Sequence, residues 1–160
     1  MAQFSRYFTR EQLEATRHGE NIIPDDQLPH WILFTQCWLD TLEAWIRLKY
    51  GWDKQQLKIS SGYRSPRVNG LVGGHWNSKH LGMYQWSPSM EIKACAADLQ
   101  WAHTEHKSIA TTDLLASMIS HLLSYDKMVV EKVDGKEWVH ISVFPHDIHL
   151  QRNLNLERNR

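Results

Sequence analysis

The sequence predicts a single α+β domain, a small antiparallel sheet flanked by helices, from three observations. Apolar residues recur at helical spacing through residues 31–48, short apolar runs at 57–60, 94–101 and 128–130 read as strands, and an Asp-Gly pair at 134–135 separates two such runs. At 160 residues the chain can bury a core without disulfides or metal as its main staple. We assign residues 1–150 to this domain and 151–160 to a polar C-terminal tail, with no internal repeat and no low-complexity linker.

Each element has a local reason. Thr9 with Gln12 fits a capping box, which predicts a short helix over residues 10–17. Pro24-Asp25-Asp26 sets up a longer helix whose stripe is Trp31, Phe34, Trp38, Leu42, Trp45, Ile46 and Leu48, with Gly51 at its C-terminal cap. A tryptophan stripe of this kind is core packing. A strand at 57–60 leads into a loop where Ser65-Pro66 starts a brief helix, proline being tolerated at the first helical position. Residues 83–93, with Trp86 and Pro88, show no clear period and read as irregular. Asp98 lies on the strand at 94–101. Thr111 or Thr112 caps a helix through Leu114, Leu115, Met118, Ile119, Leu122 and Leu123. Tyr125 to Phe144 reads as a β-hairpin turning at Asp134-Gly135.

Composition excludes several function classes. Eighteen basic and eighteen acidic residues balance, which argues against an electrostatic grip on nucleic acid or an anionic membrane. Cys37 and Cys95 form neither a CxxC pair nor a disulfide framework and read as two buried free thiols. No window approaches a membrane-spanning run, and the first residues lack the apolar core of a secretion signal. The expectation is a soluble monomer made in the cytoplasm, with no membrane insertion.

Residues 60–80 are dense in glycine and proline and carry Arg64, Asn69, Ser78 and His80, the pattern of a structured functional loop. Asn69 and Ser78 are read here as substrate-contacting. His80 after this loop, Asp98 on the next strand and His140 on the hairpin stand where a metal could be gripped. Two imidazoles and one carboxylate leave a fourth tetrahedral position open, as in catalytic zinc sites. In a chain with ten histidines, spacing alone does not single out this trio.

The residues Ser61-Gly62-Tyr63-Arg64-Ser65-Pro66 with Asn69, Gly73-Gly74 and Ser78-Lys79-His80, then Ala96-Ala97-Asp98-Leu99, then Trp138-Val139-His140-Ile141-Ser142, together resemble the zinc D-Ala-D-Ala carboxypeptidases and their phage endolysin relatives. Their fold is shared with the Hedgehog signalling domain. The resemblance implies Zn2+ held by His80, Asp98 and His140, with Arg64 holding a substrate carboxylate through its planar fork of donors. It also implies a peptidoglycan stem peptide as substrate, cut as a D-Ala-D-Ala carboxypeptidase or as an L-Ala-D-Glu endopeptidase. The absence of a secretion signal then fits an endolysin that reaches the cell wall by holin-type release. The alternative is a non-catalytic, zinc-stabilised binding module of the same fold, within a phage particle. His80 and Asp98 stand further apart than in the family pattern, so residues 82–93 are expected to bulge out as a loop, and His75 is the nearest alternative to His80.

A general base has two candidates. Glu137 lies three before His140, matching a Glu-x-x-His form, and Glu131 lies on the preceding strand. A two-residue turn at Asp134-Gly135 pairs Val133 with Lys136, Glu131 with Trp138 and Val129 with His140, which puts Glu131 on the face of His140 and Glu137 on the other. Geometry favours Glu131. Of the rest, His103 and His106 read as surface loop residues, His121 as structural, and His146 and His149 fit no motif. Asp126 is either a strand-entry cap or a hydrogen-bonding group near the site.

Overall fold

A computed structural model describes residues 4–103 and 109–159. His106 falls outside the described residues. The architecture is α+β: a five-stranded, mainly antiparallel sheet, a separate two-stranded hairpin, and helices packed on the sheet.

Helix α1 spans Arg10–Glu14, with both bonds of the Thr9/Gln12 capping box present. It is shorter than the sequence predicts. The long core helix is continuous from residue 28 to 50 but made of three pieces: α2 (Leu28–Phe34), a π-helical turn (Thr35–Leu39) and α3 (Asp40–Tyr50). Gly51, at φ 66°, ends it. Trp31, Phe34, Trp38, Leu42 and Ile46 are buried as the stripe requires, each apolar side chain of this size contributing about 1.5–3 kcal/mol. Leu48 is not; two positions beyond Ile46, it faces away from the stripe and is exposed.

The sheet runs β1-β4-β6-β5-β7, where β1 is Leu57–Ser61, β4 Cys95–Trp101, β5 Lys127–Val133, β6 Lys136–Val143 and β7 Leu154–Asn159. The hairpin β5/β6 has the expected register, with Val129 opposite His140 and Glu131 opposite Trp138. Asp134 (φ 49°) and Gly135 (φ 75°) supply the two left-handed positions a tight hairpin turn needs. Helix α5 (Thr112–Leu122) is capped by Thr111, whose hydroxyl accepts from the Leu114 N–H. Helix α4 (Pro66–Leu71) starts at the Ser65 cap with proline inside its first turn. Leu99, Val139, Ile141 and Val143 join Leu115 and Ile119 of α5 and the α2/α3 stripe in one core.

Three further sequence expectations change. Residues 83–93 are an ordered hairpin, β2 (Met83–Ser87) and β3 (Met90–Lys93), where an irregular loop was expected. Their packing is tertiary: Ile92 is buried with Ala94 and Phe144, and Tyr84 rests on that small cluster. The segment after residue 150 forms β7, parallel to β5, tied by bonds between Asn153 and Tyr125 and between the Leu154 N–H and the Asp126 carbonyl. Cys95 is buried, but Cys37 is exposed.

Candidate functional site

Sheet pairing, rather than chain proximity, assembles the site. Asp98 is directly opposite His140 in the β4/β6 ladder, so the two side chains share a face. A β-bulge between Ile59 and Ser61 shifts β1 so that Ser61, not Ser60, stands opposite Asp98. Alternate residues of the hairpin complete the face: Lys127, Val129 and Glu131 from β5, and Trp138, His140 and Ser142 from β6. They floor an open cleft of about 730 Å³, walled by Arg64, residues 72–75, Asn77, Ser78, Lys79, Tyr84 and Arg152.

His80 reaches this face from a 3₁₀ turn (Lys79–Leu81) capped by Ser78. Two bonds zip the turn to the end of β1. The Arg64 N–H donates to the His80 carbonyl at 2.8 Å, and His80 Nδ1–H donates to the Gly62 carbonyl at 2.6 Å. Because a carbonyl can only accept, Nδ1 carries the proton and Nε2 presents its lone pair. That Nε2 lies 3.3 Å from His140 Nδ1 and 3.4 Å from Asp98 Oδ1, while His140 Nδ1 is 2.9 Å from the same oxygen. The three donor atoms lie within 4.8 Å of one another and make up the one group of this kind among the described residues. Two imidazole nitrogens and a carboxylate oxygen, the first histidine locked in one tautomer by a backbone carbonyl, fit a divalent metal of the zinc type.

Electrostatics follow from burial and pairing. Burial alone would raise the Asp98 carboxyl, but His80 and His140 beside it hold it well below the usual carboxylate range. Burial lowers the His80 imidazole, outweighing the pull of Asp98, so it stays neutral as a ligand must. Arg64 donates from Nε to Ser61 Oγ at 2.8 Å and from Nη2 to Asp98 Oδ2 at 2.7 Å. It thus occupies the carboxylate oxygen that faces away from the two imidazoles.

The other sequence candidates separate. Glu131 lines the cleft on the face of His140. Glu137 does not: it is exposed, 3.7 Å from Lys132 on the opposite face. Ser78 lines the cleft and caps the turn that carries His80. Asn69 is buried and does not reach the cleft; its Nδ2 donates to the His75 carbonyl and its own carbonyl accepts from the Gly74 N–H, fixing the loop wall. His75 is exposed on the rim, its Nδ1 accepting from the Asn77 N–H. His121 is exposed and bonds within α5 to the Ser117 carbonyl, and His146 packs edge-on against buried His30.

A second charged group was not anticipated as a unit. Asp126 is fully buried, with Lys79 Nζ 3.0 Å from Oδ2 and Arg152 Nε 2.6 Å from Oδ1. Burial opposes ionisation of Asp126, but Arg152 and Lys79 overcome it and hold its carboxyl below its ordinary value. Only the Ser78-Lys79-His80 motif and the strand-entry position of Asp126 hinted at it in the sequence.

Compared with known protein families, residues 7–142 match the family described as Peptidase M15. No curated protein matches the chain.

Proposed function

The chain belongs to the peptidase M15 family, metallopeptidases of the Hedgehog/DD-peptidase fold, and from that premise we propose a zinc hydrolase of peptidoglycan stem peptides. The observation that carries this reading is the convergence of His80 Nε2, Asp98 Oδ1 and His140 Nδ1 on the floor of an open cleft that also holds Glu131. Zinc held by these three residues would supply Lewis acidity toward a scissile carbonyl and an attacking water.

The protein's own groups do the rest. Glu131 takes the proton of the attacking water and returns it to the leaving amine, a role suited to a carboxylate on the cleft face of β5. Arg64 holds Asp98 in its ligating orientation and turns the remainder of its guanidinium toward the carboxylate of the substrate. Trp138 and Val129 form the apolar floor against which the peptide lies. The sheet face leaves room for an extended chain, and the substrate places the site of action at the cell wall, with an endolysin role and holin-type release as the route proposed with it.

The test is mass spectrometry of purified muropeptides after incubation with the zinc-loaded chain, beside a chelator-treated sample. Chelator-sensitive loss of one alanine identifies a carboxypeptidase, and release of a longer peptide identifies an endopeptidase. Glu131→Gln is expected to keep zinc and lose about 10²–10⁴-fold in turnover, the range for a positioned general base. Glu137→Gln should stay within about twofold, since an exposed ion pair is worth under about 1 kcal/mol. A zinc-holding wild type that cuts no muropeptide would replace this reading with a binding module.

A further inference from the structure

One end of the cleft carries positive charge that the hydrolytic scheme does not use. Along the hairpin, Lys127 and Ser142 are paired two residues before Val129 and two beyond His140, so they lie about 7 Å from the metal group at 3.3–3.4 Å per strand residue. Glu131 and Trp138 lie the same distance the other way. Lys79 and Arg152 join Lys127 at the first end, all three lining the cleft. Beneath Lys79 and Arg152 lies the Asp126 carboxylate, fully buried and engaged by both. The other two acids of the cleft stand elsewhere: Asp98 is paired with Arg64, and Glu131 is four residues away along β5. Lys79 and Arg152 together carry two positive charges over the one negative charge of Asp126.

Two of the cations, Lys79 and Arg152, are held in place rather than waving in solvent. Lys79 is 9% exposed and its ammonium lies 3.9 Å from the centre of the Tyr84 ring and 5.3 Å from that of Phe144. The Arg152 guanidinium stands over the Trp86 ring at 5.6 Å. Tyr84 and Trp86 belong to the β2/β3 hairpin, and Arg152 precedes β7, so two segments outside the metal group build one wall of this end. Asp126 consumes one oxygen for each of Lys79 and Arg152, while an ammonium has three donors and a guanidinium five. Donors therefore remain for a ligand.

We propose that Lys79, Lys127, Arg152 and Tyr84 form a subsite for a carboxylate of the substrate, one or two residues from the scissile bond. The spacing follows from an extended peptide advancing about 3.3–3.6 Å per residue across about 7 Å of cleft. This subsite is separate from Arg64, which is anchored to Ser61 and Asp98 on the β1 side. It rests on the peptide-binding reading of the cleft, and it assigns the β2/β3 hairpin a role in substrate choice. Two carboxylates of a stem peptide are compared as its source, the chain terminus and the free carboxyl of D-glutamate.

Binding of matched stem peptides to the full zinc-loaded chain, measured by calorimetry, separates them. One pair differs in a terminal carboxylate against a carboxamide, and the other in the D-glutamate carboxylate against its amide. In wild type, the carboxylate member of one pair should bind about tenfold tighter, the size of a hydrogen-bonded charge contact. Arg152→Gln and Lys127→Gln should each bring that ratio below about threefold. The responding pair names the source. Equal or undetectable affinities in both wild-type pairs, or a preference that survives both substitutions, overturns the subsite. The two substitutions lie on different segments, so either variant that folds decides whether a wild-type preference belongs to this subsite or to Arg64. Cleavage recorded in parallel keeps the two ideas apart: charge preference without cleavage sinks the hydrolase alone, and cleavage without charge preference sinks the subsite alone.

Discussion

Gly62→Ala is expected to damage the metal group from a position that touches no substrate. A methyl built at Gly62 would lie 2.5 Å from the Leu13 carbonyl oxygen and 2.9 Å from the Leu13 Cα, both backbone atoms of α1. Those atoms cannot rotate away. The contact is clamped on both sides, because the Tyr63 N–H donates to the Leu13 carbonyl, and Asn21 Nδ2 bridges the Glu14 and Tyr63 carbonyls. Reaching ordinary van der Waals contact takes about 1 Å of separation, a typical overpacking strain of about 1–3 kcal/mol. For a chain of this size that lowers Tm by roughly 2–4 °C per kcal/mol.

The same shift carries the Gly62 carbonyl away from His80 Nδ1, now 2.6 Å distant, and a bond lengthened to about 3.6 Å is no longer one. Loss of such an orienting partner costs about 10–100-fold in metal affinity. The assay is zinc affinity by competition with a chromophoric chelator, alongside a thermal melt. Gly70→Ala is the control, since a methyl there meets nothing within 4 Å. A lowered Tm with zinc affinity unchanged within twofold would refute the claim that the Gly62 carbonyl sets the His80 tautomer.

Further outcomes can be checked separately. His140→Ala should lose both stoichiometric zinc, read by elemental analysis, and turnover, because it removes one of three donors. Burial, reinforced by Lys93, pushes the His30 imidazole down to about 4, so the unfolded chain binds the extra proton first. Stability is therefore full above about pH 6.5 and falls by roughly 3 kcal/mol as pH drops to 4, and His30→Leu should flatten that limb in urea titrations across pH. The Asp126 carboxyl is held below its ordinary value, so its contribution is present above about pH 4 and is lost on further acidification. Asp126→Asn should cost several kcal/mol at pH 7, about 3–5 for breaking a buried ion pair, and shrink that difference at pH 3, as chemical denaturation at the two pH values would reveal.

Much of the fold was legible because its signals are local. The Thr9/Gln12 box, the Ser65-Pro66 start, the Thr111 cap and the Asp134-Gly135 turn each depend on atoms within four residues of one another. The hairpin turn alone determines that Glu131 stands opposite Trp138, and strand alternation then puts it on the face of His140. Period-based reading failed where burial is one-sided or borrowed: β2/β3 packs through Ile92 on Phe144, more than fifty residues away, and shows no alternation of its own.

By itself, then, the sequence determined the secondary elements other than β2, β3 and β7, the β5/β6 hairpin register and the residue types able to hold a metal. Only the tertiary structure decided which atoms meet. The order β1-β4-β6-β5-β7 lays Asp98 against His140, the bulge after Ile59 turns Ser61 toward Arg64, and the Gly62 carbonyl selects Nε2 of His80. Lys79, Asp126 and Arg152 become one charged group across separations of 47 and 26 residues. Such contacts leave no period in the chain, because they are set by how strands stack side by side in the sheet, not by how neighbouring residues turn.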